Sequence, residues 1–311
     1  MTNETDPYVV HWAEKVAGLV EMARDDRPWY EELAAWLLRP GDRVAVDIGC
    51  GGGGMTLALA TAMGASGQVV AVDAEQEVLA AVHDQVTAIS QDQSAQVALV
   101  PADLGDNVET VREAMAEPAD LVWASASVHH VGDQQAAVAA LAGLLGPGGR
   151  LALAEGGLPA RHLPWDLGVG NPGLELRLEA ANDRWFTRMR DELPGSRRMP
   201  YGWTEALRRA GLDAVTTRTF LRERPSLLSA HDMQRVTDRF TRWVDRLRPT
   251  GLLDPADLAT WDELLDSSNP AWLGHRSDVF WLDPRSVHLG ERTSLPARRA
   301  DAASRRSRPL A

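Results

Sequence analysis

Short apolar runs alternate with segments of helical period through the first half of the chain. Val44–Ile48, 68–73, 95–100, 120–125 and 150–155 are rich in Val, Ala and Leu with little internal polarity, which is the pattern of strands buried on both faces. Between them, 55–63, 75–89 and 133–145 carry apolar residues at helical spacing. Strands separated by helices predict a doubly wound, mostly parallel α/β sheet. "RPGD" at 39–42 closes an N-terminal helical segment in which Val10, Ala13, Val16, Leu19 and Val20, then Trp29, Leu33, Trp36 and Leu37, keep one face apolar. "GPGG" at 146–149 reads as the turn into the fifth strand.

After Glu155 the alternation is interrupted. Leu174, Leu178, Ala181, Trp185, Met189 and Leu193 predict one long helix, with Asn171 as its cap and Pro172 at its first position. A helix at 204–210 and a strand at 214–221 return the chain to the sheet. A second helical insertion covers about 229–266 with a cap at Asp254-Pro255, and "RSVHLG" at 285–290 reads as the last strand. The expected organisation is an N-terminal helical lid (1–38), a ligand-binding core (39–156), a helical insertion (157–200), the rest of the core with the second insertion (201–292), and a frayed basic tail (293–311). The tail holds Arg298, Arg299, Arg305, Arg306 and Arg308 and lacks an apolar period, with docking on an acidic partner as the alternative.

Composition narrows the function classes. The net charge of −12 and the absence of a basic stripe with interleaved aromatics disfavour nucleic acid as a partner. The start, "MTNETDPYVV", is acidic where a signal peptide is basic, and no apolar run reaches the roughly 18 residues of a membrane helix, so a cytoplasmic protein is expected. The one cysteine, Cys50, excludes an internal disulfide framework and a multi-cysteine zinc site, and the eight histidines show no H-x-x-x-H spacing; no metal is expected. Association into a homodimer stays open.

"VAVDIGCGGGG" joins the first strand to the next helix through a run of glycines, at the carboxyl end of the sheet where such folds bind ligands. Gly49 to Gly54 satisfies G-x-G-x-x-G and G-x-G-x-G alike, so the glycines alone leave a dinucleotide and other nucleoside ligands open. Three acids separate them. Asp47 places a carboxylate beside the loop, where pyrophosphate would be repelled and an ammonium or cationic centre welcomed. Asp73 ends the second strand, where a carboxylate accepts both ribose hydroxyls. Asp103 follows the third strand in "VPADL" and can accept from an adenine amine. Ribose, adenine, an ammonium and a positive sulfur together describe S-adenosylmethionine.

With "VVAVDAEQEVL", "VPADL", "DLVWASASVHHVGD" and "LLGPGGRLALAEGG" in order over about residues 40–156, the sequence resembles a class I S-adenosylmethionine-dependent methyltransferase of the actinobacterial small-molecule type. "RPW" at 27–29 and "RSDVF" at 276–280 add a looser likeness. The resemblance implies a Rossmann-like sheet of seven strands whose last is antiparallel. It implies Asp47, Gly49, Gly51 and Gly53 around the methionine moiety, Asp73 with Ala74 at the ribose, Asp103 and Leu104 at the adenine, and Ser125 beside the pocket. It also implies methyl transfer to an oxygen, nitrogen or carbon of a small-molecule acceptor.

His129 and His130, after the fourth strand, are candidates for accepting a proton, His130 the stronger; packing or bonding a neighbouring loop is the plainer role. Glu155 is a weaker candidate. Most of the eleven tryptophans belong in the core, with Trp29, Trp165 and Trp185 the candidates for an acceptor pocket. Arg177, Arg184 and Arg188 share a helix face, solvated by default and anion-binding as the sharper alternative. Two other functions remain: an NAD(P)-dependent oxidoreductase using the same glycines, and a non-catalytic S-adenosylmethionine-binding regulatory protein.

Overall fold

The computed structural model describes residues 8, 11–88, 93–104 and 107–293. The basic tail beyond Thr293, Val10 and Ile89 lie outside the described residues. Two N-terminal helices, α1 (Val16–Asp25) and α2 (Arg27–Leu37), precede the first strand, and Pro28 at the start of α2 suits a position with no donor to lose. The strands are β1 (Val44–Ile48), β2 (Gln68–Asp73), β3 (Gln96–Pro101), β4 (Ala119–Ser125), β5 (Leu145–Ala154), β6 (Asp213–Arg224) and β7 (Trp281–Glu291). They form one sheet of seven strands in the order β3-β2-β1-β4-β5-β7-β6. β1 to β5 pair in parallel, and β7 runs antiparallel to both β5 and β6. The fold is the expected Rossmann-like one.

The crossover helices are α3 (Gly54–Met63), α4 (Gln76–Thr87), α5 (Val108–Ala114) and α6 (Gln134–Ala142). The central strands are closed off on both faces: every residue of β1 is buried, Asp47 included. "GPGG" is not a turn before β5 but lies inside it, where the register against β4 shifts between Ala119 and Leu121.

Two further corrections concern the insertions. α7 (Leu174–Glu192) is capped by Gly173 in the left-handed region at φ 81°, not by Asn171 with Pro172. A capping side-chain oxygen must reach the first free amides, and Gly173 is the residue at that position. α8 (Trp203–Arg209) precedes β6, and α9 (Ala230–Leu247) and α10 (Pro255–Leu265) form the second insertion, α10 capped by Asp254 as expected. The two insertions do not stand apart. Leu178, Trp185, Phe240, Val244, Trp261 and Leu264 from α7, α9 and α10 share a single apolar core separate from the sheet's own.

This packing settles the α7 arginines. Arg177 forms a two-pronged pair with Asp257 at 2.6 and 2.8 Å, Arg184 donates to the Leu252 carbonyl at 2.6 Å, and Arg188 donates to the Tyr8 hydroxyl at 2.9 Å. Arg177 joins α7 to α10, while Arg184 and Arg188 stay exposed on the solvated face expected by default and tie α7 to neighbouring segments.

Candidate functional site

A cavity of about 460 Å³ opens above the carboxyl ends of β1, β2, β3 and β4, under α1 and α2. Its floor is the loop after β1. Gly49, Gly51 and Gly53 have φ of 65°, 50° and 76°, in the left-handed region that disfavours side chains. Gly52 is glycine for a different reason: a Cβ there would meet the Leu19 carbonyl oxygen at 2.1 Å, so α1 lies directly on the loop. A Cβ on Gly51 would meet nothing nearer than the Gly49 carbonyl oxygen at 3.9 Å; the room it leaves belongs to the cavity.

Asp47 lines the cavity yet is 2 % exposed. It accepts a 2.6 Å hydrogen bond from the Thr56 hydroxyl, and burial still raises its carboxyl from the usual range to about 6. Asp73 accepts from the backbone N–H of Gly51 at 3.2 Å on one oxygen and of Glu75 at 3.1 Å on the other. Burial raises its pKa as well. Each of its oxygens keeps a lone pair for a ligand hydroxyl. Gly49, Ala74, Asp103, Leu104, Ser125, Trp29 and His130 complete the set of expected residues on the cavity wall.

Five expected residues, Gly53, Trp165, Trp185, His129 and Glu155, are not there. Gly53 faces α4, where a Cβ would touch the Val82 methyls at 3.2 Å. Trp185 is 3 % exposed in the helical core, stacked on Tyr8, and Trp165 is 68 % exposed against Gly173. His129 turns to the fifth strand: its Nδ1 lies 2.6 Å from the Glu155 carboxylate. Glu155 also accepts from the backbone N–H groups of Ser127 and Val128, both at 2.8 Å, and so holds the turn after β4.

His130 does line the cavity, edge-on to Trp12 with ring centroids 5.2 Å apart. Burial, with His129, Arg190 and Lys15 adding positive charge nearby, lowers its pKa to about 3. The premise of an ordinary imidazole pKa therefore fails. His130 is neutral at pH 7 and can hydrogen-bond a ligand, but it is a weak proton acceptor.

Sequence reasoning missed Asp26, Tyr30, Trp123 and Arg285 on the same wall. Trp123 sits directly beside Asp47 in the β1–β4 ladder, so both side chains point to one face. Arg285 was legible in part, since it alternates in phase with buried Val287.

The five-strand parallel half of the sheet, the glycine loop and the strand-end acids are the features of a nucleoside-binding enzyme. Residues 46–151 match the methyltransferase domain family. The chain carries a methyltransferase domain. A comparison with curated protein sequences gives no significant match. Among solved structures, a Bacillus halodurans protein described as a methyltransferase is 16 % identical, with 86 % of this chain and 99 % of that chain covered and a TM-score of 0.46. A Galdieria sulphuraria protein described as a sarcosine dimethylglycine methyltransferase is 14 % identical, covering 87 % and 86 %, with a TM-score of 0.43. Phosphoethanolamine N-methyltransferase 2 of Haemonchus contortus is 14 % identical with a TM-score of 0.41, and this methyltransferase, 84 % covered, spans 51 % of that chain. S-adenosylmethionine is the cofactor of the domain. The wall of the cavity fits it, with a loop that a Cβ at Gly51 would obstruct, a strand-end acid with lone pairs to spare, and a buried carboxylate beside the loop. Among the described residues no helix is long and apolar enough to cross a membrane.

Proposed function

We propose that the methyltransferase acts on an oxygen, nitrogen or carbon of a small-molecule acceptor bound in the same cavity as its cofactor. One observation carries the reading: a cavity of about 460 Å³ joins the glycine loop and strand-end acids to an aromatic wall, which is room for a nucleoside ligand and a small second reactant. The −12 charge argues in the same direction against nucleic acid.

In this reading Asp73 and Ala74 hold the ribose, Asp103 and Leu104 the adenine, and Asp47, Gly49, Gly51 and Ser125 surround the methionine end. When bound, S-adenosylmethionine would supply an electrophilic methyl group on a positive sulfur. The protein's share is alignment and exclusion of water, which in well-oriented systems is worth on the order of 7–11 kcal/mol. α1 and α2 act as the lid, because α1 rests on Gly52 and α2 supplies Trp29 and Tyr30 to the wall. His130 accepts a hydrogen bond from the acceptor rather than storing its proton. The acceptor's proton passes to solvent water, so acceptors that ionise readily are favoured.

The test is calorimetric titration of wild type and Asp73→Ala with S-adenosylmethionine, S-adenosylhomocysteine, NADH and NADPH. Binding of the first two, lost in the variant, supports the assignment of the site. Binding of a nicotinamide dinucleotide alone would overturn it. A protein that binds S-adenosylmethionine and turns over no acceptor in a broad screen would instead be the regulatory binder.

A further inference from the structure

The cavity differs in charge from end to end. Asp73 and Asp103 follow β2 and β3, whereas Arg285 lies on β7, and the strand order puts these groups on opposite sides of the loop after β1. A nucleoside held by Asp73 and Asp103 leaves the β4–β7 side to the second reactant; this step rests on the function proposed above.

On that side the wall is mostly apolar and aromatic, built from Trp29, Tyr30, Trp123 and Met55, and its acid Asp26 is paired with Arg222 and Arg235. Arg285 lies among them, its guanidinium 6.0 Å from the Trp29 ring centroid. Its nearest acid is Asp283, at 3.3 Å from Nε, and that nitrogen makes no hydrogen bond. Asp283 is already engaged by Arg222, which also pairs with Asp26, and Arg235 reaches Asp26 at 3.4 Å. Asp283 thus divides its oxygens, Oδ2 to Arg222 and Oδ1 to Arg285 Nε, and among the described residues the terminal nitrogens of Arg285 make no ion pair. Trp29, 7 % exposed, adds an indole Nε1 that is buried without a hydrogen-bond partner. Guanidinium and indole N–H can only donate. A cation with apolar walls and spare donors is completed by an anion with acceptor oxygens, and a planar carboxylate matches the guanidinium fork.

We propose that Arg285, with Trp29 beside it, binds a carboxylate of the methyl acceptor, which makes the acceptor a small carboxylic acid with an apolar or aromatic body. The cofactor's methionine end carries a carboxylate too, so the test separates the two sources. The full-length protein, Arg285→Gln and Arg285→Lys are titrated with S-adenosylhomocysteine, and the loaded proteins then with benzoate, indole-3-acetate and the corresponding amides. The expected result is a carboxylate bound about tenfold or more tighter than its amide by wild type, with the preference falling to within about threefold in Arg285→Gln and largely kept in Arg285→Lys. Affinity for S-adenosylhomocysteine stays within about threefold throughout. A wild type without carboxylate preference, or Arg285→Gln that retains it, overturns the proposal. A loss of S-adenosylhomocysteine affinity in Arg285→Gln of about tenfold or more, with an unchanged melting transition, assigns the arginine to the cofactor's carboxylate and equally overturns it. Failure of wild type to bind S-adenosylhomocysteine is a failure of the site assignment itself, and the carboxylate preference is then read on the unloaded protein.

Discussion

The Thr56 hydroxyl donates a 2.6 Å hydrogen bond to the Asp47 carboxylate, and the two side chains lie 0 % and 2 % exposed at the head of the glycine loop. That one bond does not repay the loss of water, and the carboxyl is held up to about 6. Its folded pKa lies above its unfolded value of 3.8, so the folded state binds the extra proton, and the contribution of Asp47 to stability falls as pH rises from about 4 through 6. Above that window the cost is roughly 3 kcal/mol at most. Asp47→Asn is therefore expected to raise the melting temperature at pH 7.5 and to change it little at pH 4, by differential scanning calorimetry.

The same carboxylate should tie cofactor affinity to pH. A cationic ligand beside Asp47 favours its charged form, so binding below pH 6 must expel a proton. S-adenosylmethionine affinity is expected to fall by up to about tenfold per pH unit between 6 and 5, and Asp47→Asn to flatten that slope while weakening binding at pH 7.5. Titrations in buffers of different ionisation enthalpy would count the proton directly.

Gly51 and Gly52 should respond oppositely to alanine. Gly52→Ala drives a Cβ into the Leu19 carbonyl at 2.1 Å, and displacing α1 is expected to cost about 2–3 kcal/mol of stability. Gly51→Ala meets only open space at φ 50°, so it should cost about 1 kcal/mol of stability. Its Cβ takes up cofactor room, however, and S-adenosylhomocysteine affinity should drop by about tenfold or more. Chemical denaturation and calorimetry on both variants separate the effects.

His130 should leave no mark on the pH–rate profile near 6.5, since burial holds it neutral down to about 3. Its folded pKa lies below the unfolded one, so the chain loses stability as pH falls from about 6.5 toward 3. His130→Gln is expected to gain stability at pH 5 relative to wild type and to keep the shape of the kcat/KM profile, though with a lower plateau. A profile whose inflection near 6.5 vanishes in the variant would restore a general-base role.

Arg190, on α7, donates to the carbonyls of His129 at 2.8 Å and Gly132 at 3.1 Å and to that of Val131. It fastens the helical insertion to the turn that carries His130. Arg190→Ala leaves several carbonyls to find new partners and is expected to cost about 1–2 kcal/mol, discounted for partial exposure. Amide exchange at 128–132 should quicken while exchange in β1 stays slow.

The sheet and the loop were legible because their causes are local. Buried parallel strands need continuous apolar runs, and a strand-to-helix turn against a ligand needs glycine, so Val44–Ile48 and Gly49–Gly54 announce themselves whatever the rest of the chain does. Asp73 was legible for the same reason, as a polar residue at the end of an apolar run. Trp185 was not, and Arg285 only in part, because each side chain's role depends on a distant partner. The apolar stripe of α7 is the same whether it faces a ligand or α9, and tertiary packing sent Trp185 to α9 and α10. Arg285 reads as one more surface arginine until β7 is laid antiparallel on β5 and Asp283 is shared between Arg285 and Arg222. The pKa of His130 belongs to the same class: sequence supplies the imidazole, but only the closed wall of Trp12 and the turn after β4 removes the water that would let it hold a proton.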